Sequence, residues 1–325
     1  KNVILTSVDL LQTGQFDKIE KLVRDAVKVG QSNDLGLDYK EDIEVRFEEV
    51  NRRTVKTNWD VIDELIDGGL GPGELGVIVA PSGVGKTWVL CHIGAEAVRQ
   101  GKNVLHYTLE LTQNYVGQRY DTIFTGIPSA ELRDNKEQIK DKVDKLKGGL
   151  MIKYYPPKGI TANTIAAHID MVRSTKFQPD LIIIDYADLL VSVNSKNNSD
   201  YQEQGGIYID LRAMGGEYQI PIWTASQTNR SAIESDVIHA DKIADSYAKV
   251  MNADLIISVS RKDTDKLNDT ARFHVMKNRF GPDGLTFPAK MNTNKGIIEV
   301  YAANSSNGII AVSYTHLTLP TNREV

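Results

Sequence analysis

An α/β domain built on a mainly parallel sheet is the fold this sequence predicts, and three observations carry the prediction. Short β-rich runs recur at 76–80, 103–108, 150–155, 181–185, 220–226, 254–260, 271–276 and 296–301. Helical patterns separate most of the earlier runs, an alternation that builds parallel sheets with helices on their faces and ligands at the carboxyl ends of the strands. A glycine-rich loop, "APSGVGKT" at 80–87, follows the first run and leads into a helical segment. With 325 residues, 41% hydrophobic and 25% charged, the chain has the composition of a folded protein with a sizeable core.

Taken in order, Phe16, Ile19, Leu22, Val23, Ala26 and Val29 recur at helical spacing, with Gly30 as a stop signal. With the polar stretch that follows, they read as a linker helix, packed either on its own domain or on a neighbouring subunit. Residues 1–54 are therefore assigned to a linker helix and connecting segment, and 55–303 to the main domain. The chain opens on Lys1 without an initiator Met, so a truncated N-terminal region is expected. "NWDVIDELIDGGLGPGEL" then gives a capped short helix, a stop at Gly68 and Gly69, and a turn at 71–73 that delivers the first strand. At the other end 304–325 is expected to be a disordered tail. From about 312 its "VSYTHLTLPT" resembles one reading frame of a transposase-end adapter used in preparing sequencing libraries, and it is set aside as an assembly artefact.

Charge and cysteine usage narrow the function. A balance of 38 Lys plus Arg against 43 Asp plus Glu leaves a net charge of -5, which excludes a protein that coats nucleic acid with its whole surface. Any such contact is local. The one cysteine, Cys91, lies in an apolar helical stretch and is expected in the core of a protein from a reducing compartment. No apolar run approaches the roughly 18 residues of a membrane span, and no signal-peptide pattern opens the chain, so a cytoplasmic location is expected.

The loop at 80–87 has what phosphate binding needs. Backbone N–H groups around Ser82, Gly83, Val84 and Gly85 curl about phosphate oxygens, Lys86 reaches the outer phosphates, and the Thr87 hydroxyl meets magnesium. Ala80 stands where the strict pattern has glycine, a departure that a small side chain tolerates. The helix that begins near Lys86 and carries Trp88 turns its positive dipole end to the same anion. In "LIIIDYADLL", Asp185 ends a continuous apolar strand, where a carboxylate holds the magnesium shell through Thr87 or water. Asp188 is expected to face solvent or a loop. Glu110 lies just beyond another strand end, where a base could orient water, although spacing alone does not separate it from a solvated glutamate.

Six motifs in this order, "APSGVGKT", "YTLELTQNYVGQRYD", "LIIIDYADLL", "IWTASQTNRSA", "DKIADSYAKVMNADLIISV" and "KNRFGPDG", resemble the RecA-like motor domain of DnaB-type hexameric replicative helicases. "KYYPPKGITANTI" adds a likeness to the phage, T-even branch, and the resemblance covers about 55–301. It implies a RecA-like P-loop NTPase core that hydrolyses ATP with Mg2+ at subunit interfaces of a ring and moves on single-stranded DNA. It implies Lys86 and Thr87 as phosphate and magnesium ligands, Glu110 as catalytic base and Asp185 as the magnesium carboxylate. Gln227, at a strand end, matches the family glutamine that senses the γ-phosphate. Lys277 and Arg279 match residues that reach into the neighbour's nucleotide site, the arginine as a finger. If the strand at 271–276 continues through them, a period of two places both on one face, and "FGPDG" turns the chain sharply after them.

A finger acting on a neighbour requires a ring or a filament, so a head-to-tail oligomer is expected, and the resemblance implies a hexameric ring. Primase and a helicase loader are the partners this resemblance brings with it. Lys196, Lys242 and Lys249, in the polar loops 194–206 and 241–250, are candidate contacts to single-stranded DNA phosphates. Two other readings share the phosphate loop. A recombinase-like or clock-like ATPase uses nucleotide to gate assembly without processive movement, and a small-molecule kinase needs an acceptor lid for which nothing in this sequence speaks.

Overall fold

The computed structural model of the protein describes residues 38–44, 52–192, 200–228, 235–238 and 251–303. The expected linker helix, the tail, and Lys196, Lys242 and Lys249 lie outside the described residues. The chain divides into two compact units, Lys1–Asn51 and Arg52–Val325. In the first, Asp38 accepts the N–H groups of Lys40 and Glu41 and so closes a short turn.

The second unit alternates strand and helix over its first half. Its elements run α1 (Asp60–Leu65), β1 (Leu75–Ala80), α2 (Lys86–Arg99), β2 (Val104–Thr108), α3 (Gln113–Thr125), α4 (Lys136–Val143), β3 (Leu150–Tyr154) and α5 (Ala162–Arg173). They continue with β4 (Leu181–Asp185), α6 (Asp200–Tyr218), β5 (Ile222–Gln227), β6 (Leu255–Ser260), α7 (Asp263–Leu267), β7 (Thr270–Asn278), β8 (Thr286–Asn292) and β9 (Ile297–Val300). Among the described residues the nine strands form one sheet in the order β3-β2-β4-β5-β1-β6-β7-β8-β9. From β3 to β6 every pairing is parallel, and β7, β8 and β9 extend that edge antiparallel.

All eight expected strands form, with ends shifted by up to two residues, and β8 is one that the sequence did not signal. Pro288 interrupts it and has no N–H for a ladder. The Pro288 carbonyl nonetheless accepts the N–H of Tyr301 at 2.9 Å, and the residue pairs with Arg272 in register.

Both faces of the parallel strands are covered, which is why those strands read as continuous apolar runs. Along β1 the period of two sends Leu75, Val77 and Val79 to one face, where they pack with Ile165 and Ile169 of α5 and Leu211 of α6. Ile78 and Ala80 point the other way, onto Val89, Leu90 and Ile93 of α2 and onto Trp223. Burying each such aliphatic side chain contributes about 1.5–3 kcal/mol. Cys91 is fully buried, as expected, in a third cluster with Val116, Tyr120 and Ile123 of α3. A Cβ on Gly94 would stand 2.2 Å from the Tyr120 hydroxyl oxygen, so glycine is what lets α3 close on α2.

Candidate functional site

Between β1 and α2 the chain makes the phosphate loop, and its conformation explains its glycines. Gly83 has φ +76 and Gly85 φ +114, in the region that L side chains rarely adopt. A Cβ on Gly85 would also meet the Met291 methyl at 2.5 Å. Gly85 caps α2 in a left-handed conformation, so the first N–H groups of a 14-residue helix face the loop.

Ser82, Gly83, Gly85, Lys86, Thr87, Trp88, Glu110 and Gln227 line one open cleft of about 360 Å³, together with Leu111 and Arg119. The structure thus brings most of the expected nucleotide residues together from three strand ends, β1, β2 and β5. Val84, whose side chain is buried in the core, and the fully buried Asp185 do not line the cleft. The Lys86 ammonium donates to the carbonyls of Ala80 and Pro81, each at 3.3 Å. Burial lowers its pKa, against the pull of the carboxylates of Glu110, Asp185 and Asp188. Glu110 is exposed at the lip of the cleft.

Asp185 ends β4 fully buried, and neither of its carboxylate oxygens makes a hydrogen bond. Burial pushes its pKa up to about 6. The Thr87 hydroxyl exerts the largest opposing pull without itself bonding either oxygen, followed by Arg119. A buried carboxylate left without a partner is costly, and a divalent cation is a fitting partner for this acid and the nearby hydroxyl. Among the described residues no group of three or more His, Cys, Asp or Glu could hold a metal, so such an ion would complete its shell with phosphate and water.

Asp188 corrects the sequence reading. Instead of facing solvent or a loop, its carboxylate accepts the Tyr208 hydroxyl at 2.7 Å, the Ser226 hydroxyl at 3.1 Å and the backbone N–H of Gln227 at 3.1 Å. It therefore fixes the end of β5. Gln227 pairs in register with Ala80, and its Oε1 accepts the Tyr186 hydroxyl at 3.4 Å.

Arg119 is a site residue the sequence reading missed. It lies on α3 over the Trp88 ring, 5.1 Å from the centroid, and adds a cation to the cleft. The available signal was an arginine three residues after Val116 and next to Tyr120, flush with the buried stripe of an otherwise polar helix.

Lys277 and Arg279 are not brought to this cleft. β7 runs through Lys277 to Asn278, and both cations turn to the segment that precedes β6. The Lys277 ammonium donates to the Met251 carbonyl, and Arg279 donates to Asp254 at 2.8 Å. Asp254 also accepts the N–H of Leu75, the first residue of β1, whereas Lys86 bonds the carbonyl of Ala80, the last. The two ends of that six-residue strand lie roughly 17 Å apart. Downstream, Asn278 donates to the carbonyls of Leu65 and Pro282, and Arg52 lies 4.2 Å over the Phe280 ring, which pins the turn after the pair.

The profile of the family described as "DnaB-like helicase C terminal domain" matches residues 54–294. The DnaB-like replicative helicase of Enterobacteria phage T4 is 26% identical over 291 residues, 86% of this chain and 61% of that protein. The replicative DNA helicase DnaB of Mycoplasma genitalium is 30% identical over 246 residues, 69% of this chain and 51% of its own length. The chain thus spans between half and two thirds of these relatives. In fold, a solved ATPase domain superposes with a TM-score of 0.67 at 17% identity, over 80% of this chain and 95% of that one. A DnaB-like replicative helicase studied with its interactions with primase gives 0.70 at 15% identity, over 92% and 74%. Both neighbours share the α/β architecture described above.

Proposed function

Because the chain belongs to the DnaB-like helicase C-terminal domain family, we propose that it is the ATP-hydrolysing motor of a replicative DNA helicase. It works as a head-to-tail ring, expected to be hexameric, that moves on single-stranded DNA and unwinds duplex. The observation that carries the reading is the separation of Arg279 from the cleft: the cation suited to developing phosphate charge stands at the opposite end of β1 from the loop that would hold the phosphates. If such a residue acts on phosphate charge, it does so at a site on another copy of the chain.

Within one subunit the loop N–H groups and Lys86 hold the phosphates, and Arg119 adds positive charge beside them. Asp185 and Thr87 would hold Mg2+, which when bound offsets the charge of the outer phosphates. Glu110, exposed at the lip, accepts the proton of the water that displaces ADP from the γ-phosphorus. Gln227 carries an amide that donates to a phosphate oxygen or accepts from water, so loss of the γ-phosphate changes its partners. Its backbone is held by Asp188, which ties that change to α6 through Tyr208.

DNA contact falls to the segments 194–206, of which 200–206 open α6 instead of forming the expected loop, and 241–250, with Lys196, Lys242 and Lys249 on phosphates. Lys277 bonds the carbonyl of Met251, the residue that follows the second segment in the chain. Primase and a loader are proposed as partners by family membership, and the cytoplasm as the location. Among the described residues no helix is long and apolar enough to cross a membrane. The alternative, a nucleotide-gated assembly ATPase without processive movement, shares the cleft and differs in its response to DNA.

The test is ATP hydrolysis with and without single-stranded DNA, for the chain and for Arg279→Ala. Strong stimulation by DNA that the variant loses supports the motor. Hydrolysis indifferent to both DNA and Arg279 contradicts it.

A further inference from the structure

Asp254 lies outside the nucleotide cleft and outside every motif role assigned above, yet it is a buried acid that engages two arginines and a strand N–H at once. It is 4% exposed. Its Oδ1 accepts two arginines, Arg279 at 2.8 Å and Arg212 of α6 at 2.9 Å. Its Oδ2 accepts the N–H of Leu75 at 3.0 Å, and its own carbonyl accepts the backbone N–H of Arg279 at 3.0 Å. Arg279 is thus clamped at main chain and side chain by one residue, while its side chain stays 40% exposed.

We propose that Asp254 is the positioning residue for the arginine finger, holding Arg279 by one guanidinium nitrogen so that its remaining N–H groups are presented outward to the neighbouring subunit. This rests on the reading of Arg279 as a finger in trans. A guanidinium carries five donors in a planar fork, and tying one nitrogen fixes the plane while leaving the others for a phosphate. Without the carboxylate, Arg279, Lys277 and Arg212 form a cluster of three positive charges with no other acid bonded to them among the described residues. Mutual repulsion would then splay the finger away from its aim. Arg212 shares the acceptor oxygen and limits how tightly the finger is held. Because Asp254 also bonds the first residue of β1, the strand that ends in the phosphate loop, one side chain touches both the subunit's own nucleotide strand and the finger it lends.

Asp254→Asn keeps an acceptor for the Leu75 N–H and removes the charge that holds both arginines, and Asp254→Glu keeps the charge but pushes the guanidinium outward by one methylene. Misplacing a reacting group by about 1 Å costs up to about 100-fold in rate. DNA-stimulated ATP hydrolysis is measured for both variants beside Arg279→Ala, with thermal melting of each. Expected is a fall in kcat of about ten-fold or more for Asn and about five-fold for Glu, with KM for ATP within about two-fold of the parent. Either folded variant running at the parent kcat overturns the proposal, as does failure of both to fold, which marks a purely structural acid. If Arg279→Ala itself keeps the parent kcat, the finger reading has failed. If Arg279→Ala is dead while the Asp254 variants run at full rate, only the positioning role has failed.

Discussion

Asp188 accepts the backbone N–H of Gln227 at 3.1 Å, and the same carboxylate takes the Tyr208 hydroxyl at 2.7 Å. The residue proposed to sense the γ-phosphate is therefore anchored through a side chain that sits after β4 and reaches α6. Asp188→Ala is expected to lower stability by about 1–3 kcal/mol, because the buried Tyr208 hydroxyl loses its short partner. It should also reduce DNA stimulation more than the DNA-free rate. Urea denaturation and paired ATPase assays check both, and an unchanged ratio of stimulated to basal rate contradicts the coupling.

Glu110 is proposed as the base and stands exposed at the lip of the cleft. Glu110→Gln is expected to cut hydrolysis by about 100- to 10,000-fold while leaving nucleotide affinity nearly unchanged. Fluorescent-nucleotide titration beside the rate measurement separates the two. Comparable losses in binding and rate would assign Glu110 to holding the nucleotide instead.

Gly94 faces Tyr120 across the α2–α3 contact. Gly94→Ala is expected to destabilise by about 1–3 kcal/mol through overpacking, since the added methyl would stand 2.2 Å from the Tyr120 oxygen. Tyr120→Phe removes that oxygen, so the double variant should be more stable than the two single losses sum to. Additive losses in denaturant melts would show that α3 does not close on α2 at this notch.

His92 is 8% exposed, stacked on Trp59 at 5.1 Å, and both of its ring nitrogens lack a hydrogen-bond partner. Burial, with Arg99 adding to it, holds its pKa down to about 3, and burial does the same to His106. The folded values lie below the unfolded one, so the unfolded chain takes up protons first. Stability from neutral burial is complete above about pH 6.5 and is lost progressively as pH falls toward the folded value. The slope is about 1.4 kcal/mol per pH unit for each histidine in that window. Urea midpoints at pH 7.5 and 5 should fall in the parent and fall less in His92→Gln. Equal falls would mean that His92 does not titrate on unfolding.

Much of this architecture was legible because parallel strands covered on both faces leave continuous apolar runs, as in Leu181–Asp185, and because the phosphate loop sits at a fixed place between strand and helix. What escaped has physical reasons. β8 alternates Phe287, Ala289 and Met291 with less buried residues but carries Pro288, a residue that speaks against a strand. Asp188 gains its role from Tyr208 and Gln227, partners 20 and 39 positions away. Arg119 looks like any helical arginine until α3 is laid beside Trp88, and Asp254 becomes a hub only when β1, α6 and β7 converge on it. The cleft residues that were found come from short motifs whose geometry is local. Those that were missed depend on pairings between distant elements.

Whether the nucleotide site of one copy is completed by Arg279 of another is decided by mixing. Equal amounts of Lys86→Ala and Arg279→Ala chains, each inactive alone, are combined and assayed for DNA-stimulated ATP hydrolysis. In random head-to-tail rings about a quarter of the interfaces join a sound Lys86 to a sound Arg279, so recovery to about a quarter of the parent rate is expected. A mixture no faster than the average of the two variants, in rings confirmed to have exchanged subunits, would show that Arg279 does not act in trans.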